Sequence, residues 1–339
     1  MRPADCPIRN DAGDTHSPRC YAKRDSYGTF PHVASGDTLS GTVTSQFIGA
    51  SWLQDATYAL RRSSPQPTSS KVRQPRIWGG TDGSLTKGPF TCRTDHNGFI
   101  ETGNPNRQNH PAMVFLGDSF VESMFNAEAS RFVSRAENLL DEAGFHFSCR
   151  NGGYSGATTL QLLNVLINKV YPLVGAGGTV ILFAPQSDVH IFGAPATYWH
   201  PTDRYAPIMP PIAPEATQML RGFNSTAQIL EIIVGASRSL GMNLVLATSP
   251  YRSAACGEDP WLDNHLEGDV FHTVLARRAL LAEKVREVAA RTGVPLIDAA
   301  KHLDGKFHLF FDELHLNDAG QSAFAVWLSQ EILQLEFVH

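Results

Sequence analysis

Two stretches of this 339-residue sequence hold residue types that can do acyl chemistry. The first is Met113-Val-Phe-Leu-Gly-Asp-Ser-Phe120, in which four apolar residues run into Gly117-Asp118-Ser119. The second, far along the chain, is Phe310-Phe-Asp-Glu-Leu-His-Leu-Asn317, with Asp312 three residues before His315. Cleaving an ester through serine needs a nucleophile, a base that takes its proton, and donors for the tetrahedral oxyanion. Ser119 is the candidate nucleophile and His315 the candidate base. An aspartate at that spacing can reach Nδ1 of the histidine and leave Nε2 free to face the serine. Each motif alone has a plainer reading. Gly-Asp-Ser also makes a turn and a helix N-cap, and a histidine in a chain with thirteen of them can simply cap a loop.

The elements around these stretches decide whether they can meet. Met113–Leu116 is short and unbroken, as suits a buried strand of a parallel sheet. Gly117 permits a sharp turn. Phe132, Val133, Ala136, Leu139 and Leu140 then follow helical spacing, which predicts a helix running through Leu140. Ser119 thus falls where a strand ends and a helix begins, at the edge where open α/β sheets bind ligands. The first turn of a helix also carries free N–H groups and partial positive charge.

Further along, Phe145–Cys149 reads as a second strand, followed by the glycine-rich loop Arg150–Thr158 and a helix to about Val170. Thr179–Phe183 and Asn243–Ala247 are clear buried strands, and Val294–Ile297 is another. Helices are expected over about Phe223–Leu240, Val270–Arg291 and Asp318–Leu335, the first stopping at Gly241. Strand and helix alternate about five times, which predicts a parallel sheet with helices on both faces. Right-handed crossovers then bring the strand ends to one edge, so Ser119, the Gly156 loop, Pro185–Asp188, Thr248–Pro250 and Asp312–His315 can converge. Two excursions interrupt the alternation, Val189–Glu215 and Tyr251–Gly268. Long loops in compact domains are usually functional or mobile.

Ahead of this α/β domain (112–339) the text is irregular. Residues 1–45 are rich in Asp, Ser, Thr, Pro and Gly and read as an arm ordered in part at best. Residues 46–111 include short apolar pairs between Gly-Gly, Asp-Gly and Asn-Gly turns and read as a small β-rich appendage.

Composition excludes several classes. The net charge is −5, and no basic run or stripe suggests a nucleic-acid partner. No apolar run reaches the roughly 20 residues of a membrane span. The first residues lack an apolar signal-peptide core, so the expected location is cytoplasmic. The five cysteines, Cys6, Cys20, Cys92, Cys149 and Cys256, are scattered, and free thiols are the simplest reading, with a Cys6–Cys20 bridge left open. No metal-ligand spacing and no phosphate-binding loop occurs, so neither metal nor cofactor is expected.

Gly117-Asp118-Ser119 near the start of the α/β domain, the glycine-rich loop after the second strand, and Asp312-x-x-His315 before the last helix together resemble the GDSL (SGNH) hydrolase family. The resemblance covers roughly residues 112–335. It implies a three-layer α/β/α sandwich of about five parallel strands, flavodoxin-like in plan. It implies an acyl-enzyme on Ser119, with His315 as general base and Asp312 orienting it. It also implies oxyanion donors from the Ser119 N–H, from a glycine that maps to Gly156 (Gly153 is the other register), and from a third-block asparagine. That block normally reads Gly-x-Asn-Asp. Here it reads Pro185-Gln186-Ser187-Asp188, so Ser187 takes the asparagine's place, with Gln186 as a possible substitute.

Losing a well-placed donor costs about 10²–10³ in rate, so an active enzyme with an altered oxyanion hole is expected. Thr94-Asp-His-Asn97-Gly98-Phe99 is similar to a stretch in a subset of the family, but reads more simply as an Asn-Gly hairpin turn. Glu122 and His190 read as solvated or loop-bracing residues, and Asp188 as a capping or loop-bracing one. The functional expectation is a serine esterase acting on a small-molecule or glycan ester. The alternative is an acyltransferase serving a sugar or natural-product acceptor, its site roofed by the two excursions. A binding module without catalysis is the third reading. The fold alone does not choose among them, and the oligomeric state is not legible.

Overall fold

Four consecutive apolar residues, Met113 to Leu116, are useful only if both faces of their strand are covered, and both are. The computed structural model describes residues 70–71, 80–86, 90–104, 110–191, 222–266 and 269–338. In chain order the strands and helices are β1 (Ser70–Lys71), β2 (Phe90–Thr91), β3 (Ala112–Gly117), α1 (Ser119–Glu122), α2 (Phe132–Glu142) and β4 (Ser148–Gly153). Then come α3 (Thr159–Val165), a π turn over Leu166–Val170, α4 (Tyr171–Val174), β5 (Thr179–Phe183), α5 (Ser187–Ile191), α6 (Gly222–Ser239) and β6 (Asn243–Ala247). The chain ends through α7 (Pro260–His265), α8 (Asp269–Thr292), β7 (Leu296–Ile297), α9 (Ala299–His302) and α10 (Asp318–Ile332).

Five strands form one parallel sheet in the order β4-β3-β5-β6-β7. Alternate side chains point to opposite faces. Val114, Leu116, Val180, Leu182, Leu244 and Leu246 pack with Leu162, Leu230, Ile233 and Val285 of α3, α6 and α8. Met113, Phe115, Ile181, Phe183 and Val245 pack with Phe120, Phe132, Phe324 and Leu328 of α1, α2 and α10. The molecule is therefore a three-layer α/β/α sandwich, and both halves of each strand's apolar run are used.

Local differences from the expected elements have physical causes. The helix expected to run through Leu140 is split, because Ser123 turns into the left-handed region (φ 47°) and closes α1 after one turn. The second strand lies later than Phe145–Cys149, so Asn151-Gly152-Gly153 belongs to the strand and not to the loop. Gly152 and Gly153 pair in register with Leu116 and Gly117. The 94–100 stretch is a turn closed by a Thr94–Ile100 bridge, and Ile100 also bridges Asn151 on the outer edge of β4. Residues 80–86 are tied to the loop after β7: Asp82 N–H donates to Phe311 O at 2.8 Å and Asn317 Nδ2 to Ser84 Oγ at 3.0 Å. The arm over 1–45 and most of the 46–111 appendage lie outside the described residues, as does most of the first excursion. Cys92 and Cys149 are free, whereas Cys256 is disulfide-bonded, which corrects the reading of that cysteine as a free thiol.

Candidate active site

Ser119 is the first residue of α1, directly beyond the carboxyl end of the central part of the sheet. Asp118 caps that turn, its carboxylate accepting from Phe120 N–H at 3.1 Å. Phe120 anchors the turn from below, with its ring 5.3 Å from Phe132 and 5.5 Å from Phe324. From the far end of the chain, the loop between β7 and α10 brings His315 alongside. Ser119 Oγ and His315 Nε2 are 2.8 Å apart, and His315 Nδ1 lies 2.7 Å from Asp312 Oδ2. The other Asp312 oxygen accepts from the N–H groups of Leu314 and His315, at 2.8 and 2.7 Å. This carboxylate is thus fixed by its own loop before it meets the imidazole. Because Asp312 can only accept, Nδ1 carries the proton and Nε2 offers its lone pair to the Ser119 hydroxyl. Phe311 stacks on the imidazole at 5.6 Å, and Phe125 lies at 5.6 Å in a tilted arrangement.

The backbone N–H groups of Ser119 and Gly156 bond to no acceptor among the described residues. The third block behaves otherwise. Ser187 donates to Asp118 Oδ2 from its N–H at 3.1 Å and from its hydroxyl at 3.3 Å. Gln186 Nε2 donates to Ser249 O at 2.9 Å. Both side-chain donors expected at the oxyanion hole are therefore directed to other acceptors. The reason lies in Asp118, which is 2% exposed. Burial pushes its carboxyl up, while the Phe120 and Ser187 donors and the nearby His315 favour its charged form. A buried carboxylate without such donors would be costly. Asp188, fully buried, accepts from Thr159 N–H (3.1 Å), Thr159 Oγ1 (2.6 Å) and Thr226 Oγ1 (3.0 Å). It braces α5 against α3 and α6, as expected of a bracing residue. His190 lies in α5.

A second set of charges grips the histidine loop, and its role is not among the sequence expectations. Glu313, inside the Asp312-x-x-His315 motif, meets His265 Nε2 at 2.9 Å and forms an ion pair with Arg278 of α8. Its carbonyl accepts from Arg252 N–H at 2.9 Å and from Arg278 Nη1 at 3.0 Å. Burial pushes the Glu313 carboxyl up, but His265 and Arg278 outweigh that and hold it down to about 2. Arg252, 4% exposed, pairs with Asp259 and Asp82 and donates to Phe310 O at 3.0 Å. The described part of the second excursion thus braces the loop that carries Asp312 and His315. One signal was present: a charged residue, Glu313, between Phe310-Phe311 and Leu314-His315-Leu316. Its partners lie too far away in sequence to be read.

A parallel five-stranded α/β/α sandwich with serine, histidine and aspartate in hydrogen-bonded series at its carboxyl edge defines the SGNH class of hydrolase fold. Residues 115–323, more than half of the chain, match the model of the GDSL-like lipase/acylhydrolase family, and the chain belongs to that family. It is an enzyme of the GDSL/SGNH ester-hydrolase type. Among solved structures it is similar to the acetyl xylan esterase AlAXEase, with 13% identity, 66% of this chain and 98% of that one covered, and a TM-score of 0.44. An acetylxylan esterase from Geobacillus stearothermophilus shows 16% identity, coverage of 68% and 96%, and a TM-score of 0.46. A lipase/acylhydrolase from Enterococcus faecalis shows 17% identity, coverage of 65% and 94%, and a TM-score of 0.44. A search of curated proteins gave no match. No helix among the described residues is long and apolar enough to cross a membrane.

Proposed function

We propose that the protein hydrolyses carboxylic esters through an acyl-enzyme on Ser119. The observation that carries this reading is the continuous series Ser119 Oγ–His315 Nε2–Asp312, with steps of 2.8 and 2.7 Å. Ser119 Oγ attacks the ester carbonyl carbon while His315 Nε2 takes its proton. The oxyanion that forms is held by the N–H groups of Ser119 and Gly156. The imidazolium, steadied by Asp312, returns the proton to the leaving alcohol as the C–O bond breaks. Water then repeats the sequence, and the acid departs from a restored Ser119. The reading assigns Ser187 and Gln186 to supporting the site and not to the oxyanion. The substrate is a small-molecule or glycan ester.

The test is release of p-nitrophenol from the acetate, butyrate and octanoate esters by the full chain beside Ser119→Ala. Release that disappears in a folded Ser119→Ala variant supports the serine mechanism, and the chain-length profile sizes the acyl pocket. Release that persists in the variant overturns it. Alcohol acceptors added to the same assay separate transfer from hydrolysis, since transfer raises nitrophenol release without raising free acid.

A further inference from the structure

Glu122 closes α1, three residues beyond Ser119, and is 1% exposed. A carboxylate that deep requires a partner of its own. Its Oε2 accepts a hydrogen bond from Ser155 Oγ, and Ser155 immediately precedes Gly156. Met124 Sδ also lies 3.9 Å from that hydroxyl. The rest of the loop is fastened to the same helical turn. Asn151 Nδ2 donates to Val121 O at 2.8 Å, and Asn151 Oδ1 accepts from Gly153 N–H at 2.9 Å. Tyr154 N–H donates to Gly117 O at 3.2 Å. At Gly153 the two backbones touch: a Cβ there would lie 2.2 Å from Glu122 N, so only glycine fits. Up to Tyr154 the loop is held by backbone and by Asn151. The last tie before Gly156 is the Ser155 side chain.

Resting on the reading of Ser119 as nucleophile, we infer that Glu122 and Ser155 are positioning residues: their hydrogen bond fixes the Ser155–Gly156 peptide and so sets the span between the Ser119 and Gly156 N–H groups. Neither residue touches substrate. A charged acceptor suits the task, because hydrogen bonds to a carboxylate are shorter and stronger than those to a neutral group. The acceptor sits on the nucleophile's own turn, so the two donors of the oxyanion hole move together. Without the bond the peptide is held only by the turn around it, closed by Ala157 N–H donating to Tyr154 O at 3.1 Å, and it can tilt within that turn so that the Gly156 N–H loses its aim at the developing oxyanion. A misplacement of about 1 Å is enough to cost on the order of 10²-fold in rate.

The experiment compares Ser155→Ala, Ser155→Thr, Glu122→Gln and Ser119→Ala with the parent full chain. It measures kcat and KM on p-nitrophenyl acetate, and inhibition by an alkylboronic acid, which forms a tetrahedral adduct on the serine. Ser155→Ala is expected to lower kcat roughly 10- to 100-fold with KM changed less than about twofold, and to weaken boronate inhibition by the same factor. Ser155→Thr, which keeps the hydroxyl, restores most of the rate. Glu122→Gln keeps an acceptor oxygen and loses less than Ser155→Ala. The inference is overturned if folded Ser155→Ala keeps its kcat, or loses kcat without losing boronate affinity. If Ser155→Ala does not fold, Ser155→Thr and Glu122→Gln decide: unequal losses of kcat and boronate affinity in them overturn it too. Activity that survives in Ser119→Ala would instead defeat the underlying serine mechanism, so the two failures are distinguishable.

Discussion

Replacing Glu313 by Gln tests whether the charged grip on the histidine loop is an energetic fact. The carboxyl is held down to about 2 in the folded protein, against an ordinary 4.5. That difference of about 2.5 pH units corresponds to about 3 kcal/mol at about 1.4 kcal/mol per unit. Because the folded-state value is depressed, this stability is fully present above the unfolded value. It begins to be lost as pH falls below about 4.5, where the unfolded chain binds the proton first, and is gone below about 2. Gln cannot ionise and has nearly the shape of the protonated acid. The variant is therefore expected to be about 3 kcal/mol less stable than the parent near neutral pH, with the gap closing as pH falls. Removal of one partner also leaves Arg278, 1% exposed, without its counter-charge.

The assay is urea unfolding of parent and variant followed by tryptophan fluorescence, at several pH values from neutral down to strongly acid. Taking the difference between the two proteins removes the titrating groups that Glu313 does not touch; His265, its partner, stays in the comparison. A difference below about 1 kcal/mol near neutral pH, or one that does not shrink on acidification, refutes the reasoning. The same variant reports on the site. If Glu313 holds the loop, kcat falls with stability, and His265→Gln, which leaves Arg278 in place, loses less of both.

Asp312→Asn keeps the size of the side chain but inverts the hydrogen-bonding preference at His315 Nδ1. Loss of kcat on the order of 10⁴-fold with an unchanged melting temperature is expected, and less than about tenfold would remove Asp312 from the mechanism. Ser187→Ala and Gln186→Ala each lower kcat by less than about tenfold, whereas a true oxyanion donor is worth about 10²–10³. A larger loss in a stably folded variant would return that side chain to the oxyanion hole. Asp188→Ala leaves Thr159 N–H and two threonine hydroxyls without their acceptor in a fully buried place, and is expected to cost roughly 2–3 kcal/mol by denaturant unfolding.

What could be read from the sequence was what depends on neighbours along the chain. β3, β5 and β6 announce themselves because a strand covered on both faces must be apolar at every position, and Met113–Leu116, Thr179–Phe183 and Asn243–Ala247 nearly are. β4 does not, because it is an edge strand whose text, Ser-Cys-Arg-Asn-Gly-Gly, is shaped by close contact with α1 and by the Ile100 bridge on its outer side. The one-turn helices α5 and α9 are shorter than the window in which helical periodicity can be seen. Gly117 was legible as glycine for a turn, yet the structure demands it for space, since a Cβ there would lie 2.4 Å from Val121 Cγ2.

The site divides along the same line. Ser119, Asp312 and His315 are recognisable from residue type and local spacing. The orientation of Ser187 and Gln186 is not, because Asp118, far away in sequence, claims the Ser187 donors once it is buried. Glu313 makes the point most sharply. It stands inside the most recognisable motif of the chain, at a position the motif leaves free, and its role is created entirely by Arg278 and His265 on two other helices. The residues proposed to react can thus be named from short words in the sequence, while the residues that hold them in place are defined only by folding. A substitution at Glu313 should therefore damage the enzyme while leaving every recognisable motif residue intact.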